Sequence, residues 1–148
     1  MYKFIKELRE EYLVNEEYIN SIEKKYDITF PLILKDYYLK YNGSRIKECR
    51  FNIDGFGYGV YGMVQIMYGG YPFEKKIEND RMDGFISPSM IAFAYNGGGD
   101  YFYCDLKDGK IYVIYDIIEN PIYICDSVSE FFKIMEENIY KEWYKIKP

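Results

Sequence analysis

The stretch from Ile91 to Tyr115 limits the fold more than any other part of the chain, because it holds three apolar runs separated by two glycine turns. This pattern predicts a three-stranded antiparallel meander, with strands near 91–95, 101–106 and 111–115. Asp108-Gly109 has the composition of a two-residue type I′ turn, since both residue types tolerate positive φ. Such a turn predicts three cross-strand pairs, which are Leu106 with Ile111, Cys104 with Val113, and Phe102 with Tyr115.

Side chains alternate along a strand, so the meander has two faces of different chemistry. An aliphatic face, which we expect to be core, carries Ile91, Phe93, Phe102, Cys104, Leu106, Ile111, Val113 and Tyr115. The opposite face, which we call the tyrosine face, carries Ala92, Ala94, Tyr101, Tyr103, Asp105, Tyr112 and Ile114. The turn at 96–99 is expected to place Tyr95 opposite Asp100.

Helices are expected before these strands. A first helix is predicted from the helical spacing of Phe4, Ile5, Leu8 and Tyr12. Asn15 predicts the cap of a second helix, and Pro31 predicts the first turn of a third, which ends at Asn42-Gly43. The first 43 residues are therefore expected to be helical.

The middle and the end of the chain complete the prediction. Residues 45–68 are typical of glycine-interrupted strands, and residues 69–84 predict either a long connection or a short helix. A short strand is expected at 122–125. Ser127, with Glu130 three residues later, has the pattern of a capping box and predicts a C-terminal helix. The order indicates an α+β fold with N-terminal helices, a central, mainly antiparallel or mixed sheet, and a C-terminal helix.

Charge indicates which partners suit the chain. At 148 residues it is long enough for one domain, spanning residues 1–148, and its formal charge is −5. Residues 96–137 hold nine acidic and three basic residues, so the acidity belongs to the meander and to the segment after it. A nucleic-acid partner is therefore not expected, whereas a cationic protein is.

Two further features of composition bear on location and contacts. Cys49, Cys104 and Cys125 are widely spaced and odd in number, which favours free thiols in a reducing compartment. The charged N-terminus and the lack of a long apolar run favour a cytoplasmic protein without a membrane partner. The nineteen tyrosines and ten phenylalanines have two explanations, a genome rich in A and T or a surface built for contacts.

Nothing in the sequence indicates catalysis. The chain contains no histidine, which removes the commonest general base, the Ser-His-Asp triad and histidine metal sites. Residues 57–62 match G-x-G-x-x-G, but β-forming residues come next where a nucleotide-binding loop would open a helix. We therefore expect a protein that is not an enzyme and that has no metal and no cofactor.

Three ordered motifs resemble the SUKH superfamily, which includes fungal Smi/Knr-type cell-wall regulators and bacterial immunity proteins. The first runs from Glu23 through Pro31 to Asn42-Gly43, and the second from Pro88 through Ile91 and Ala94 to Asn96–Asp100. The third is the helix start Ser127–Phe132. One departure is that the strand after Asp108-Gly109 lacks the histidine with which many relatives end it.

The resemblance implies a helix-covered sheet and a protein that acts by binding. The leading hypothesis is an immunity protein that binds and neutralises a cognate toxin, for example a basic nuclease. The alternatives are a regulatory scaffold of the Smi/Knr type and a small-ligand-binding domain. The sequence leaves the toxin and the oligomeric state undetermined.

Two surfaces are candidates for the partner, because aromatic anchors beside acids suit a cationic protein. The first lies on and beside the tyrosine face and comprises Asp100, Tyr101, Tyr103, Asp105 and Tyr112. If the N-terminal or C-terminal helices cover that face, the second candidate is the 69–84 segment, with Tyr71, Phe73, Glu74, Glu78, Asp80 and Asp83.

Overall fold

The computed structural model describes residues 1–115 and 120–141. Its helices are α1 (Glu16–Tyr26), α2 (Leu32–Tyr41), α3 (Phe73–Asp83) and α4 (Val128–Glu137), with a 3-10 turn at Glu10–Tyr12. Its strands are β1 (Ile5–Glu7), β2 (Arg45–Ile46), β3 (Cys49–Ile53), β4 (Phe56–Val60), β5 (Gly62–Met63), β6 (Met90–Tyr95), β7 (Tyr101–Asp105), β8 (Ile111–Ile114) and β9 (Ile122–Cys125). The α+β class is confirmed.

The central sheet has five antiparallel strands in the order β5-β6-β7-β8-β9. The predicted meander is its β6-β7-β8 segment, at the positions expected from the sequence. Two further antiparallel pairs, β1-β2 and β3-β4, lie outside this sheet. Every strand pair within the described ranges is antiparallel, so the sheet is not mixed there.

The register across the Asp108-Gly109 turn was predicted wrongly by two residues. Cys104 pairs with Ile111 and Phe102 with Val113, while Leu106 lies in the turn. The Asp105 carboxylate accepts from the Lys107 N–H (3.0 Å), and the Gly109 N–H donates to the Asp105 carbonyl (2.7 Å). These bonds close a loop that is longer than the predicted two-residue turn. A shift of two keeps every side chain on its predicted face, so the face assignment of β7 and β8 is confirmed.

The two-residue type I′ turn lies instead at Asp54-Gly55. Both residues have positive φ, 51° and 83°, and Ile53 pairs with Phe56 directly across the turn. That is the geometry the dipeptide favours. At Asp108-Gly109, only Gly109 has positive φ (78°).

A bulge in β6 changes the second predicted pairing. Tyr95 pairs with Tyr101 and not with Asp100, and Ala94 pairs with Phe102. The irregularity falls between Ala92 and Ala94, so β6 holds one extra residue in its ladder with β7. Ala94 therefore leaves the tyrosine face to which the sequence assigned it, while Ile91 still pairs with Cys104 as the faces require.

The predicted first helix is wrong, and β1 takes its place. Phe4 and Ile5 are buried, whereas Leu8 is 40% exposed, so the helical spacing does not mark one buried stripe. The Phe4 ring lies 5.7 Å from that of Phe132 on α4, and its N–H donates to Glu136. Contacts with a distant helix override the local preference, which is the usual way in which propensity fails.

The next two helices are confirmed, the first with its Asn15 cap, whereas Pro31 precedes the second helix and does not form part of its first turn. The Asn15 side chain accepts from the Tyr18 N–H at the start of α1, and α2 begins directly after Pro31. After α2, Gly43 has a φ of +80° and an added Cβ would lie 2.2 Å from Cβ of Tyr12, so only glycine fits. The predicted stop at Asn42-Gly43 is thus confirmed.

Helix α4 lies over the aliphatic face of the sheet. The Ser127 hydroxyl accepts from the Glu130 N–H, which confirms Ser127 as the cap, while the Glu130 carboxylate accepts from the N–H of Asp126, one residue before the position that a capping box uses. The buried stripe is Val128, Phe131, Phe132 and Met135. The Phe131 ring lies 5.2 Å from that of Phe93 and 5.1 Å from that of Phe102, so the aliphatic face is core as predicted.

Candidate binding surface

Helix α3 covers the other side of the sheet, where the sequence left a choice between a loop and a helix. It begins after Pro72 and ends at Gly84, whose φ of +74° gives the left-handed stop. Its buried positions, Phe73, Ile77 and Asp80, have helical spacing, but one of the three is an acid. The interruption of the apolar stripe is why the pattern did not predict a definite helix.

A polar cluster joins α3 to the tyrosine face. The Tyr103 hydroxyl donates to Oδ2 of Asp80 (3.2 Å), and Nζ of Lys76 donates to Oδ1 of the same carboxylate (2.8 Å). The Lys76 ammonium also lies 4.1 Å from the centroid of the Tyr101 ring. These contacts satisfy the buried carboxylate, so α3 is attached by specific polar bonds as well as by apolar packing.

Burial dominates the titration of this cluster. Desolvation raises the pKa of Asp80, although the hydrogen bond with Lys76 and the charge of its ammonium oppose the shift. Desolvation and the Asp80 carboxylate raise the pKa of Tyr103 well above its ordinary value. Both shifts come from packing against α3 and require no catalytic role.

The structure shows which of the predicted site residues are buried and which are exposed. Burial of the tyrosine face at Tyr103 is confirmed, but α3 covers it and not the N-terminal or C-terminal helices. Phe73 and Asp80 are buried with it, so they cannot contact a partner. Glu78 and Asp83 lie exposed on the outer side of α3.

Two other predicted acids hold the scaffold together. Glu74 accepts from the Tyr18 hydroxyl (2.6 Å) and from the Met67 N–H (3.0 Å), which joins α3 to α1. Asp100 closes the glycine turn, because its N–H donates to Oδ1 of Asn96 (2.9 Å) and its carboxylate accepts from the Asn96 amide (3.1 Å). Both acids therefore have a structural role in the scaffold.

The strands β8 and β9 extend the tyrosine face beyond α3. Tyr112 pairs with Tyr123 across these strands, and their ring centroids lie 6.2 Å apart. The Tyr112 hydroxyl donates to Asp108 (3.1 Å) and the Tyr123 hydroxyl to Asp126 (2.5 Å). Tyr123 is 49% exposed, and Tyr112 is half-buried.

We call this region the open tyrosine surface; it comprises Asp105, Asp108, Tyr112, Tyr123 and Asp126. Asp105, at the end of β7, accepts from the Ser89 hydroxyl (2.8 Å) and remains half-buried. Desolvation and then the bond to Asp108 raise the pKa of Tyr112, and the bond to Asp126 raises the pKa of Tyr123 to about 12. Both phenols stay protonated at neutral pH, and their rings lie beside acidic side chains, with the Lys110 ammonium 5.8 Å from the centroid of the Tyr123 ring.

Four tyrosines line a small cavity at the other end of the same face. This tyrosine pocket has a volume of about 180 Å³ and is bordered by Tyr68, Tyr71, Tyr95 and Tyr101. It lies between the segment after β5 and the ends of β6 and β7. Two of the predicted site residues, Tyr71 and Tyr101, come from the two alternative surfaces and meet here.

A cleft of opposite charge lies at the β5 edge of the sheet. Its volume is about 660 Å³, and its border includes Lys6, Arg45, Lys47 and Lys141. Glu48 also borders this basic cleft but forms an ion pair with Arg50. The protein is thus acidic at the β9 edge of the sheet and locally basic at the β5 edge.

The remaining reactive groups are poorly placed for chemistry. Cys49, Cys104 and Cys125 are buried free thiols, and burial raises the pKa of each to about 12. Such thiols are poor nucleophiles. Over residues 1–115 and 120–141, no group of three or more His, Cys, Asp or Glu side chains is arranged to hold a metal ion, and no helix is long and apolar enough to cross a membrane.

The sequence prediction missed several residues of these surfaces. Asp108, Tyr123 and Asp126 were not among the candidates, and neither were Tyr68 and Tyr95. Tyr123 had a usable signal, because the strand Ile122–Cys125 pairs with β8 and strand alternation then sets Tyr123 beside Tyr112. The tyrosine pocket had no such signal, since its walls come from separate segments.

Comparison with known families identifies the scaffold. Residues 13–134 match the SMI1 / KNR4 family (SUKH-1). The chain belongs to this family. Comparison with curated proteins gives no match.

In this SMI1/KNR4 domain, the motif residues noted in the sequence have structural roles. Asn42 is fully buried, and its side chain bonds both the N–H (2.8 Å) and the carbonyl (2.9 Å) of Ile66. Asn96 closes the glycine turn, and Ser127 caps α4. Because these motif residues hold the fold, their presence does not by itself identify a binding partner.

Proposed function

We propose that this SMI1/KNR4 domain acts without catalysis, as an immunity protein whose open tyrosine surface binds and neutralises a cationic toxin. The observation that carries the proposal is the pairing of two accessible tyrosines with acidic side chains on a strand edge that α3 leaves uncovered. Tyrosine supplies contact area at low entropic cost, and acids around it favour a basic surface.

The electrostatics suit inhibition of a toxin that acts on an anionic substrate. Such a toxin needs Lys and Arg side chains at its substrate site, and an acidic protein would pair with them and accelerate association. Residues 96–137, which hold nine acids and three bases, supply that charge. The binder would then block the toxin by occupying the substrate site.

A binding role also accounts for the absence of a catalytic set. The sequence has no histidine, the thiols are buried, and the one carboxyl with a raised pKa within the described residues, that of Asp80, lies buried between α3 and the sheet. We therefore propose that the protein is not an enzyme and acts in the cytoplasm. A broad hydrolase screen should show no turnover, and turnover abolished by Asp105→Ala would contradict this.

The experiment is co-purification of the tagged chain with the product of the neighbouring gene, followed by kinetics on variants. Replacing Asp108 and Asp126 by Asn keeps the hydrogen-bond acceptors but removes two charges, so we expect slower association and a weaker salt dependence. Replacing Tyr112 and Tyr123 by Ala should raise the dissociation rate about tenfold or more.

Two control pairs make this test specific. Asp36→Asn with Asp54→Asn removes two exposed charges, on α2 and on the turn between β3 and β4, outside both candidate surfaces and the tyrosine pocket, and should leave binding intact. Glu78→Lys with Asp83→Lys tests the outer side of α3, the second surface predicted from the sequence. An effect confined to Glu78 and Asp83, or no effect at any site, would reject the open tyrosine surface.

The basic cleft favours a second candidate function, a regulatory scaffold. A scaffold needs two separate surfaces, and this chain has an acidic one at β9 and a basic one bordered by Lys6, Arg45 and Lys47 at β5. Simultaneous capture of two proteins, one lost on Lys47→Glu and the other on Tyr123→Ala, would support this function. A toxin that binds alone and is inhibited stoichiometrically would support the immunity function.

A further inference from the structure

We propose that the tyrosine pocket receives one cationic side chain, a lysine or arginine, of the bound partner. This inference rests on the proposed function, because it names the group that a cationic partner would insert. It concerns Tyr68, Tyr71, Tyr95 and Tyr101, which are separate from the open tyrosine surface. The cavity of about 180 Å³ is comparable in size to a single long side chain and too small for a folded element.

The walls of the pocket are aromatic and held in place. Tyr95 lies edge-on to Tyr101 at 6.1 Å, and Tyr68 lies edge-on to Tyr12 at 5.1 Å. The Tyr71 hydroxyl accepts from the Asn79 amide (2.6 Å), which fixes the most exposed of the four rings. Rings that are already positioned lose little entropy when a ligand binds.

Aromatic rings of this kind attract cations through their π faces. The chain itself gives an example, since the Lys76 ammonium lies 4.1 Å from the centroid of the Tyr101 ring. Lys76 does not border the cavity, and its charge is neutralised by Asp80 at 2.8 Å, so it presents little repulsion to a second cation. The other three tyrosines that border the cavity, Tyr68, Tyr71 and Tyr95, add further aromatic surface for the incoming group.

The mouth of the pocket is suited to a side chain that enters from outside. Gly69, Gly70 and Gly99 border the cavity and carry no side chain that could close it. An added Cβ at Gly70 or Gly99 would meet no heavy atom within 4 Å, so the space there is open. Charge also favours a cation, because the protein carries −5.

The test uses small probes, so it does not depend on identifying the toxin. N-acetyl-arginine amide is titrated against N-acetyl-citrulline amide, which has nearly the same shape but no charge, and ring signals of selectively labelled tyrosines are monitored by NMR. We expect arginine to shift the Tyr71 and Tyr101 signals and to bind about fivefold or more tightly than citrulline.

Matched variants separate the rings from the hydroxyls. Tyr71→Phe keeps the aromatic face and should retain most of the preference for arginine, whereas Tyr71→Leu should abolish it. Equal binding of arginine and citrulline would show an apolar site and overturn the proposal, as would the absence of any shift. Tyr123→Ala should leave probe binding unchanged, so a failure of the open tyrosine surface and a failure of the pocket can be told apart.

Discussion

The two faces of the five-stranded sheet are covered by helices of similar length, but in different ways. Helix α4 buries an entirely apolar stripe on the aliphatic face and is capped by Ser127. Helix α3 buries an acid, Asp80, on the tyrosine face, and no side chain caps its first turn after Pro72. The first cover forms a core, and the second is joined to the sheet through the Lys76–Asp80–Tyr103 cluster.

The difference shows how one sheet can combine a closed core face with a face that is partly accessible. Phe131 brings together rings from β6 and β7, so the aliphatic face is closed and contributes mainly to folding. On the opposite face, α3 stops short of β8 and β9 and leaves Tyr112 and Tyr123 accessible. Since tyrosine tolerates both burial and water, the same residue type lines the covered part and forms the open tyrosine surface.

The largest effect is expected on the α4 side. Phe131→Ala should lower the free energy of unfolding by about 3–5 kcal/mol, because it removes a fully buried ring and leaves a cavity. Denaturant unfolding monitored by circular dichroism measures the loss, and Phe131→Leu is the milder control. A loss below about 1 kcal/mol would mean that α4 does not hold the aliphatic face as described.

A smaller effect is expected on the α3 side, and its sign should depend on how the cluster is changed. Asp80→Asn leaves the Lys76 ammonium without its carboxylate and should cost about 1–3 kcal/mol. The triple variant Lys76→Met, Asp80→Leu and Tyr103→Phe replaces the whole cluster by apolar side chains. Its free energy of unfolding should be unchanged or higher by up to about 4 kcal/mol, because the attraction within a buried ion pair seldom exceeds the cost of desolvating its charges.

The pH dependence provides a second test of the cluster. The folded-state pKa of Asp80 is raised above 3.8, so the folded state holds this proton more tightly than the unfolded state. The contribution of Asp80 to stability is therefore fully present below pH 3.8 and is lost as pH rises through the raised pKa. As pH rises from 3.8 through the raised pKa of Asp80, the free energy of unfolding of the triple variant should increase relative to that of the wild type. If the difference between the two proteins did not change with pH, the pKa of Asp80 would not be raised by folding.

Much of the scaffold could be predicted because it depends on local patterns. The meander, its faces and the capped start of α4 can be read from alternation and from Ser127 with Glu130. The register could not, because the loop at Asp108-Gly109 is set by hydrogen bonds that Asp105 makes across it. The strand β1 was missed since its burial depends on Phe132, which is far away in the sequence.

For the candidate binding surface, the sequence predicted the acidic charge but only some of the residues. The acidic character of the region and two members of the open tyrosine surface, Asp105 and Tyr112, could be read from the sequence. Asp80 could not be placed, because no pattern rule expects an acid in a buried stripe. The number of tyrosines also does not show which of them are buried. Tyr37 and Tyr38 have buried hydroxyls without a hydrogen-bond partner among the described residues, and phenylalanine would pack there as well.

The smallest effect concerns the open tyrosine surface itself, where a substitution should alter titration and leave folding unchanged. The phenol of Tyr123 can donate to Asp126 only while it is protonated, which raises its pKa from 10.0 to about 12. Asp126→Asn removes the carboxylate charge and should return the pKa of Tyr123 towards 10.0. NMR of ring-labelled tyrosine measures the titration, and Lys133→Gln, on the exposed side of α4, is the control. If the pKa of Tyr123 were the same in the wild type and in Asp126→Asn, Asp126 would not bind this phenol. The acids and tyrosines of the open tyrosine surface would then not be the pairs that we propose for a cationic partner.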